Sequence, residues 1–173
     1  MNKALSMNWG HYTASFSKSY VGRKAWDNAF TFSIVRNPWA KAYSFYKYHK
    51  KYQNSNQKHR MYAKYKTFES WINSLMPHHY NDEHEKVLFP KNPHIQIDWI
   101  SEKNNIIVDF VFKLESIKNE LKVLEDKIGK KVFLPHVNKV SEANEYRSKY
   151  DKNMIDIVGN LCKRDIEAFG YDF

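Results

Sequence analysis

The run Phe30-Thr-Phe-Ser-Ile-Val-Arg36 is a compact apolar segment of strand length, rich in β-branched and aromatic side chains, and it stops abruptly at Asn37-Pro38. Asn is a preferred helix N-cap, and Pro suits the first helical position, where its missing N–H is no loss. Trp39 to about Tyr52 then reads as helix, with Trp39, Tyr43 and Tyr46 spaced by four and three so that they share one face. A strand that becomes a helix within two residues leaves few architectures open. It is the building unit of layered α/β domains, and it puts Arg36 at the carboxyl end of a strand.

Further along, the same alternation recurs. Phe68 to Leu75 is a short helix candidate, and Ile106 to Leu114 is a second strand. Ser116 to Ile128 carries a helical stripe of Ile117, Leu121, Leu124 and Ile128, closed by Gly129 as its C′ residue. Val132 to Leu134 reads as a short strand, Pro135 to Arg147 as a polar loop, and Met154 to Phe169 as a last helix stopped at Gly170. Lys50–Arg60 reads as a loop or frayed helix end and Met76–Pro93 as an irregular excursion. The alternation predicts one α/β domain over residues 1–173 with a parallel sheet. A single cysteine, Cys162, excludes an internal disulfide framework and a cysteine-rich zinc site. It sits in an apolar helical stripe and reads as core rather than nucleophile. There is no signal-peptide core and no apolar run near the roughly 20 residues that span a bilayer, so the expected compartment is the cytoplasm.

Lys and Arg number 28 against 19 acids, a net charge of +9, which favours anionic partners (nucleotides, nucleic acid, acidic glycans, a membrane surface) or simply solubility. The chemistry concentrates at the first strand end. Ligands of open α/β sheets bind at the carboxyl ends of strands, where helix N-termini offer backbone N–H groups to anions. Arg36 brings a planar fork suited to phosphate, and Ser44 lies two turns into the helix. The same residues equally suit an internal ion pair for Arg36 and a packing role for Ser44.

Three segments, in sequence order, resemble the carbohydrate sulfotransferases. Phe32-Ser-Ile-Val-Arg-Asn-Pro-Trp-Ala-Lys-Ala-Tyr-Ser-Phe-Tyr46 looks like that family's 3′-phosphate-binding motif, Val108–Glu115 like its strand before a "grfE" turn, and Leu134-Pro-His-Val-Asn-Lys139 with Tyr150 and Asp165–Tyr171 like its tail. The resemblance covers roughly residues 9 to 173. It implies a P-loop-kinase-like parallel-sheet domain that moves a sulfuryl group from 3′-phosphoadenosine 5′-phosphosulfate (PAPS) to a carbohydrate hydroxyl. Carried over by position, Arg36 and Ser44 bind the cofactor's 3′-phosphate, and Asn138 and Lys139 lie over the nucleotide. Two departures stand out. Lys41 occupies a place where the family usually has Arg. Nothing matches the Lys-x-Gly-Thr-Ser-like loop around the 5′-phosphosulfate, so an N-terminally shortened member is expected, and an anchor for a Golgi or membrane location would have preceded it.

His11, in Gly-His-Tyr-Thr-Ala, is the candidate catalytic base by the same resemblance, since a neutral imidazole can take the acceptor's proton; the alternative is a surface histidine. Glu115 is a second base candidate and equally a structural cap. His78, His79, His84 and His94 lack helical zinc spacing, so no metal is expected. Tyrosines and lysines interleave from Tyr46 to Lys66, which suits bases, sugar rings or a plain amphipathic helix. The rival to an enzyme is a non-catalytic basic module binding nucleic acid or acidic glycans.

Overall fold

The computed structural model describes residues 12–52, 65–74, 92–133 and 145–173. Two short helices lead, α1 (Ala14–Val21) and α2 (Arg23–Asp27), joined at Gly22, whose φ of 83° lies where a side chain would be strained. Thr13 caps α1 by accepting from the Phe16 N–H. Strand β1 (Phe32–Val35) follows, then α3 (Pro38–Tyr52) and α4 (Phe68–Asn73), the latter with a capping box between Thr67 and Ser70. After α5 (Ile97–Ile100), β2 (Ser101–Glu102) and β3 (Asn105–Ile106) form an antiparallel hairpin. Lys103 and Asn104 at its tip both have positive φ, 50° and 67°, as a type I′ turn requires. Then come β4 (Phe110–Lys113), α6 (Ile117–Ile128), a 3₁₀ turn (Glu145–Lys149), α7 (Lys152–Leu161) and α8 (Lys163–Phe169).

Strand β1 pairs in parallel with β4, Phe32 opposite Phe110 and Val35 opposite Lys113. The domain is therefore mixed α/β with a small parallel sheet, two strands among the described residues. The predicted strand over Ile106–Leu114 is broken into two. Ile106 pairs with Ser101 in the hairpin, and β4 begins only after Asp109, whose carboxylate accepts from the Thr31 N–H at 2.7 Å and hydroxyl at 2.8 Å. Val132 and Phe133 join no strand, and Leu134 lies outside the described residues. Within the expected polar loop, residues 145–149 wind into the 3₁₀ turn, which buries Tyr146.

The described residues form two cores. The larger packs α3, α4, the 3₁₀ turn and α7 through Trp39, Tyr43, Trp71, Ile72, Tyr146, Met154 and Val158, so the aromatic face of α3 faces inward as its spacing predicts. The smaller, of Val35, Ile97, Ile100 and Phe169, lies under one face of the sheet. The predicted last helix is interrupted at Cys162. The interruption lets α7 aim Met154 and Val158 at the first core while α8 aims Phe169 at the second. Gly129 and Gly170 close α6 and α8 in the left-handed conformation, as the sequence indicates.

Asn37 fastens the β1–α3 junction. Its Oδ1 accepts from the N–H groups of Trp39 and Ala40, its Nδ2 donates to the Asp172 carbonyl at 2.7 Å, and its own N–H donates to Glu115 at 2.8 Å. Replacing Asn37 with Ala removes the cap and the tie to the C-terminal segment. We expect Asn37→Ala to lower the unfolding free energy by about 1–2 kcal/mol, read from urea midpoints at constant m-value.

Candidate functional site

The Arg36 side chain leaves the end of β1 half-buried. Among the described residues its guanidinium has neither a hydrogen bond nor an ion pair, so the internal pairing that the sequence allowed is not found among them. Burial lowers the Arg36 pKa from its ordinary value; the negative charge of Glu115 offsets part of that effect, with Tyr146 and Tyr171 also within electrostatic reach. Glu115 itself is committed elsewhere. Its Oε1 accepts from the Asn37 N–H and its Oε2 from the Tyr171 hydroxyl at 3.2 Å. That engagement favours the structural alternative for Glu115 over the catalytic one. It also leaves a fork of N–H donors, partly desolvated, near a carboxylate each of whose oxygens already accepts one hydrogen bond from another residue. Such a group gains from an anion.

The N-terminus of α3 offers less than its position promises. Pro38 has no N–H, the N–H groups of Trp39 and Ala40 are taken by Asn37 Oδ1, and that of Lys41 donates to the Asn37 carbonyl at 2.8 Å. What this strand end offers an anion is therefore the Arg36 side chain rather than backbone amides. Ser44 lies seven positions beyond Asn37, on the same side of the helix and about 10 Å along its axis. It is partly exposed and makes no side-chain hydrogen bond among the described residues, and it does not touch Arg36 through one. His11, Asn138 and Lys139 fall outside the described residues, as do His78, His79 and His84.

Lys41 turns away from Arg36. Its Nζ donates to the carbonyls of His94 at 3.0 Å and Pro93 at 3.4 Å and lies 6.0 Å from the Phe45 ring centre. It borders a cleft of about 610 Å³ that runs along β1 and is also lined by Tyr12, Trp26, Phe32 and Trp99. Arg36 and Ser44 are not among the residues lining that cleft. Burial pulls the Lys41 ammonium down to about 8, with Asp165 opposing the shift. Cys162 is buried beside the same helix, and desolvation pushes its thiol up to about 12, which fits a core residue and not a nucleophile. Of the interleaved tyrosines, Tyr46 donates to the Lys66 carbonyl at 3.3 Å, and Tyr46 and Tyr65 both pack against the first core. At Tyr46 the amphipathic-helix alternative holds.

Two residues near Arg36 went unassigned in the sequence. Gln96 hydrogen-bonds the Arg36 backbone through both ends of its carboxamide, and Asp165, with no exposed surface, accepts from the backbone of Gln96 and Ile97. The available signal was Asp165 standing seven residues after Val158 and four before Phe169. That is a carboxylate on the buried stripe of a helix, a placement that demands partners.

The sequence pattern that defines the Sulfotransferase family matches residues 2–172. No curated protein matches the chain, and neither does any solved structure.

The Lys41 environment sets a sign for pH dependence. Between about pH 8 and the ordinary lysine value near 10.4, the unfolded chain binds a proton that the folded protein lacks, so this group's contribution to stability rises with pH across that window. Below pH 8 the ammonium is charged in both states and its burial penalty is felt in full. We expect a lysine side-chain NMR titration to show an inflection near pH 8 that Lys41→Met removes. The urea-midpoint gain of wild type over Lys41→Met should grow from pH 8 to pH 10.

Proposed function

Because the chain belongs to the sulfotransferase family, we propose that it transfers a sulfuryl group from PAPS to a carbohydrate hydroxyl, and that Arg36 grips the donor's 3′-phosphate. Family membership supports a transferase and a P-loop-like fold, with residues 1–173 forming one domain. The observation that carries the finer assignment is the half-buried Arg36 guanidinium at a strand's carboxyl end, without a partner among the described residues, while nearby Glu115 is occupied by Asn37 and Tyr171. A phosphate supplies paired oxygens in the geometry that a guanidinium fork accepts.

PAPS brings an activated sulfuryl group, and the chain's part is to bind, orient and move a proton. In the transfer the acceptor oxygen forms a bond to sulfur as the sulfur–phosphate oxygen bond breaks, and the acceptor hydroxyl loses its proton. In this reading His11 takes that proton. Arg36 and Ser44 fix the nucleotide from its 3′ side, and Asn138 with Lys139 covers it. Positioning of this kind, with cationic groups near the developing charge, is how in-line transfer is accelerated without covalent help from the protein. The surplus of basic residues favours an anionic donor and acceptor.

Thermal unfolding with adenosine 3′,5′-bisphosphate tests the assignment. Wild type should gain several degrees at millimolar nucleotide. Arg36→Ala should weaken binding about ten- to a hundredfold, the loss of a charge-assisted pair, and Ser44→Ala should weaken it less. His11→Ala should retain binding and lose turnover. A melting temperature indifferent to the bisphosphate overturns the reading, and salt-sensitive binding to single-stranded nucleic acid in its place would favour a non-catalytic basic module.

A further inference from the structure

We propose that Gln96 is a positioning residue for Arg36, held in its working orientation by the buried carboxylate of Asp165; the inference rests on Arg36 being the phosphate-gripping group. The alternation of a strand supplies the first step. The carbonyls of Thr31 and Val35 accept from backbone N–H groups at the two ends of β4 (Asp109 and Phe110 before it, Leu114 after it), so by the two-residue alternation of a strand the peptide groups of Phe32 and Ile34, and of Arg36 next in line, face the opposite edge of β1. No strand lies there among the described residues. For Arg36 a side chain takes that role. Gln96 Oε1 accepts from the Arg36 N–H at 2.8 Å, and Gln96 Nε2 donates to the Arg36 carbonyl at 2.7 Å. One carboxamide thereby pairs both polar groups of a single residue, as a neighbouring strand would.

The second step fixes which way that carboxamide points. Asp165 Oδ2 accepts from the Gln96 N–H at 2.7 Å and from Gln96 Nε2 at 3.3 Å, while Oδ1 accepts from the Ile97 N–H at 2.8 Å. A carboxylate accepts only, so the NH₂ end of Gln96 must lie toward Asp165 and the Arg36 carbonyl, and the oxygen toward the Arg36 N–H. Each end of the amide has one permitted place. Gln96 is nearly buried and Asp165 wholly so, which keeps water from substituting for either contact. The backbone of Arg36 is thus clamped from β4 through its neighbour Val35 on one side and from Gln96 on the other, while its guanidinium has no hydrogen-bond partner among the described residues. A long side chain grips an anion with less loss of freedom when its root is fixed.

The test is a double-mutant cycle read as selectivity for the 3′-phosphate: the affinity for adenosine 3′,5′-bisphosphate divided by that for adenosine 5′-monophosphate, measured by calorimetry. Gln96→Leu should cut the ratio about tenfold by weakening bisphosphate binding while leaving monophosphate binding within twofold. In an Arg36→Ala background the same substitution should change nothing further, because the residue it positions is gone. Gln96→Glu keeps the acceptor for the Arg36 N–H and loses the donor. Asp165→Asn loses one of the two accepting oxygens. Both should fall between wild type and Gln96→Leu, and either carries the test if Gln96→Leu does not fold. Three results overturn the inference. One is an unchanged ratio in the folded Gln96 variants beside a collapsed ratio in Arg36→Ala, which leaves the phosphate assignment standing. Another is an equal loss for both nucleotides. The third is a ratio that Arg36→Ala does not alter, which removes the phosphate assignment as well.

Discussion

The Asn37 side chain is the constraint on which the rest of the molecule depends. One residue ends a strand, starts a helix and receives the C-terminal segment, through an acceptor used twice and two donors used once each. Two of the four bonds are long-range, to Glu115 at the exit of β4 and to Asp172 after α8, and the other two cap α3 through Trp39 and Ala40. Because they converge on one side chain, the two cores cannot shift relative to each other without breaking hydrogen bonds at the point where Arg36 leaves the strand. The site inherits its rigidity from this knot rather than from the size of the sheet, which has two parallel strands among the described residues.

Buried polar groups carry an unusual share of the architecture around Arg36. Gln96, Asp165 and Asn37 are buried, and together with the exposed Glu115 they are engaged by partners distant in sequence, each bridging elements that apolar packing alone would leave free to slide. Burying such groups is costly unless every one is satisfied, and full satisfaction leaves few alternative arrangements of equal energy. Asp165 illustrates the tension: desolvation raises its pKa, and the three N–H donors from Gln96 and Ile97 pull the other way. Arg36 is the exception in this network, a cation whose guanidinium donors meet no hydrogen-bond acceptor among the described residues.

What the sequence made legible followed from local rules. The strand stop at Asn37-Pro38, the aromatic face of α3, and the left-handed ends at Gly129 and Gly170 are each fixed by a residue's own stereochemistry, and they appear where the pattern puts them. Long-range demands decided the rest. Ile106 is as strand-like as its neighbours, yet a two-residue turn draws it into a hairpin with Ser101. Cys162 sits in an unbroken helical stripe, yet two cores in different directions require a break there. At the site, Arg36 and Ser44 are readable because their spacing is local. The hold of Gln96 on the Arg36 backbone is not, since the two residues are 60 apart in sequence and a glutamine carries no periodic signal.

The order of contacts along the chain has a consequence for synthesis. Arg36 leaves the ribosome well before several groups that shape its surroundings: Asp165 behind Gln96, Tyr171 on Glu115, the Asp172 carbonyl on Asn37, and the Phe173 ring edge-on to Trp39 at 5.6 Å. Until those later residues have emerged, the nascent chain has a strand and a helix without the clasp that orders their junction. The fold thereby separates the moment Arg36 is made from the moment its root is held in place.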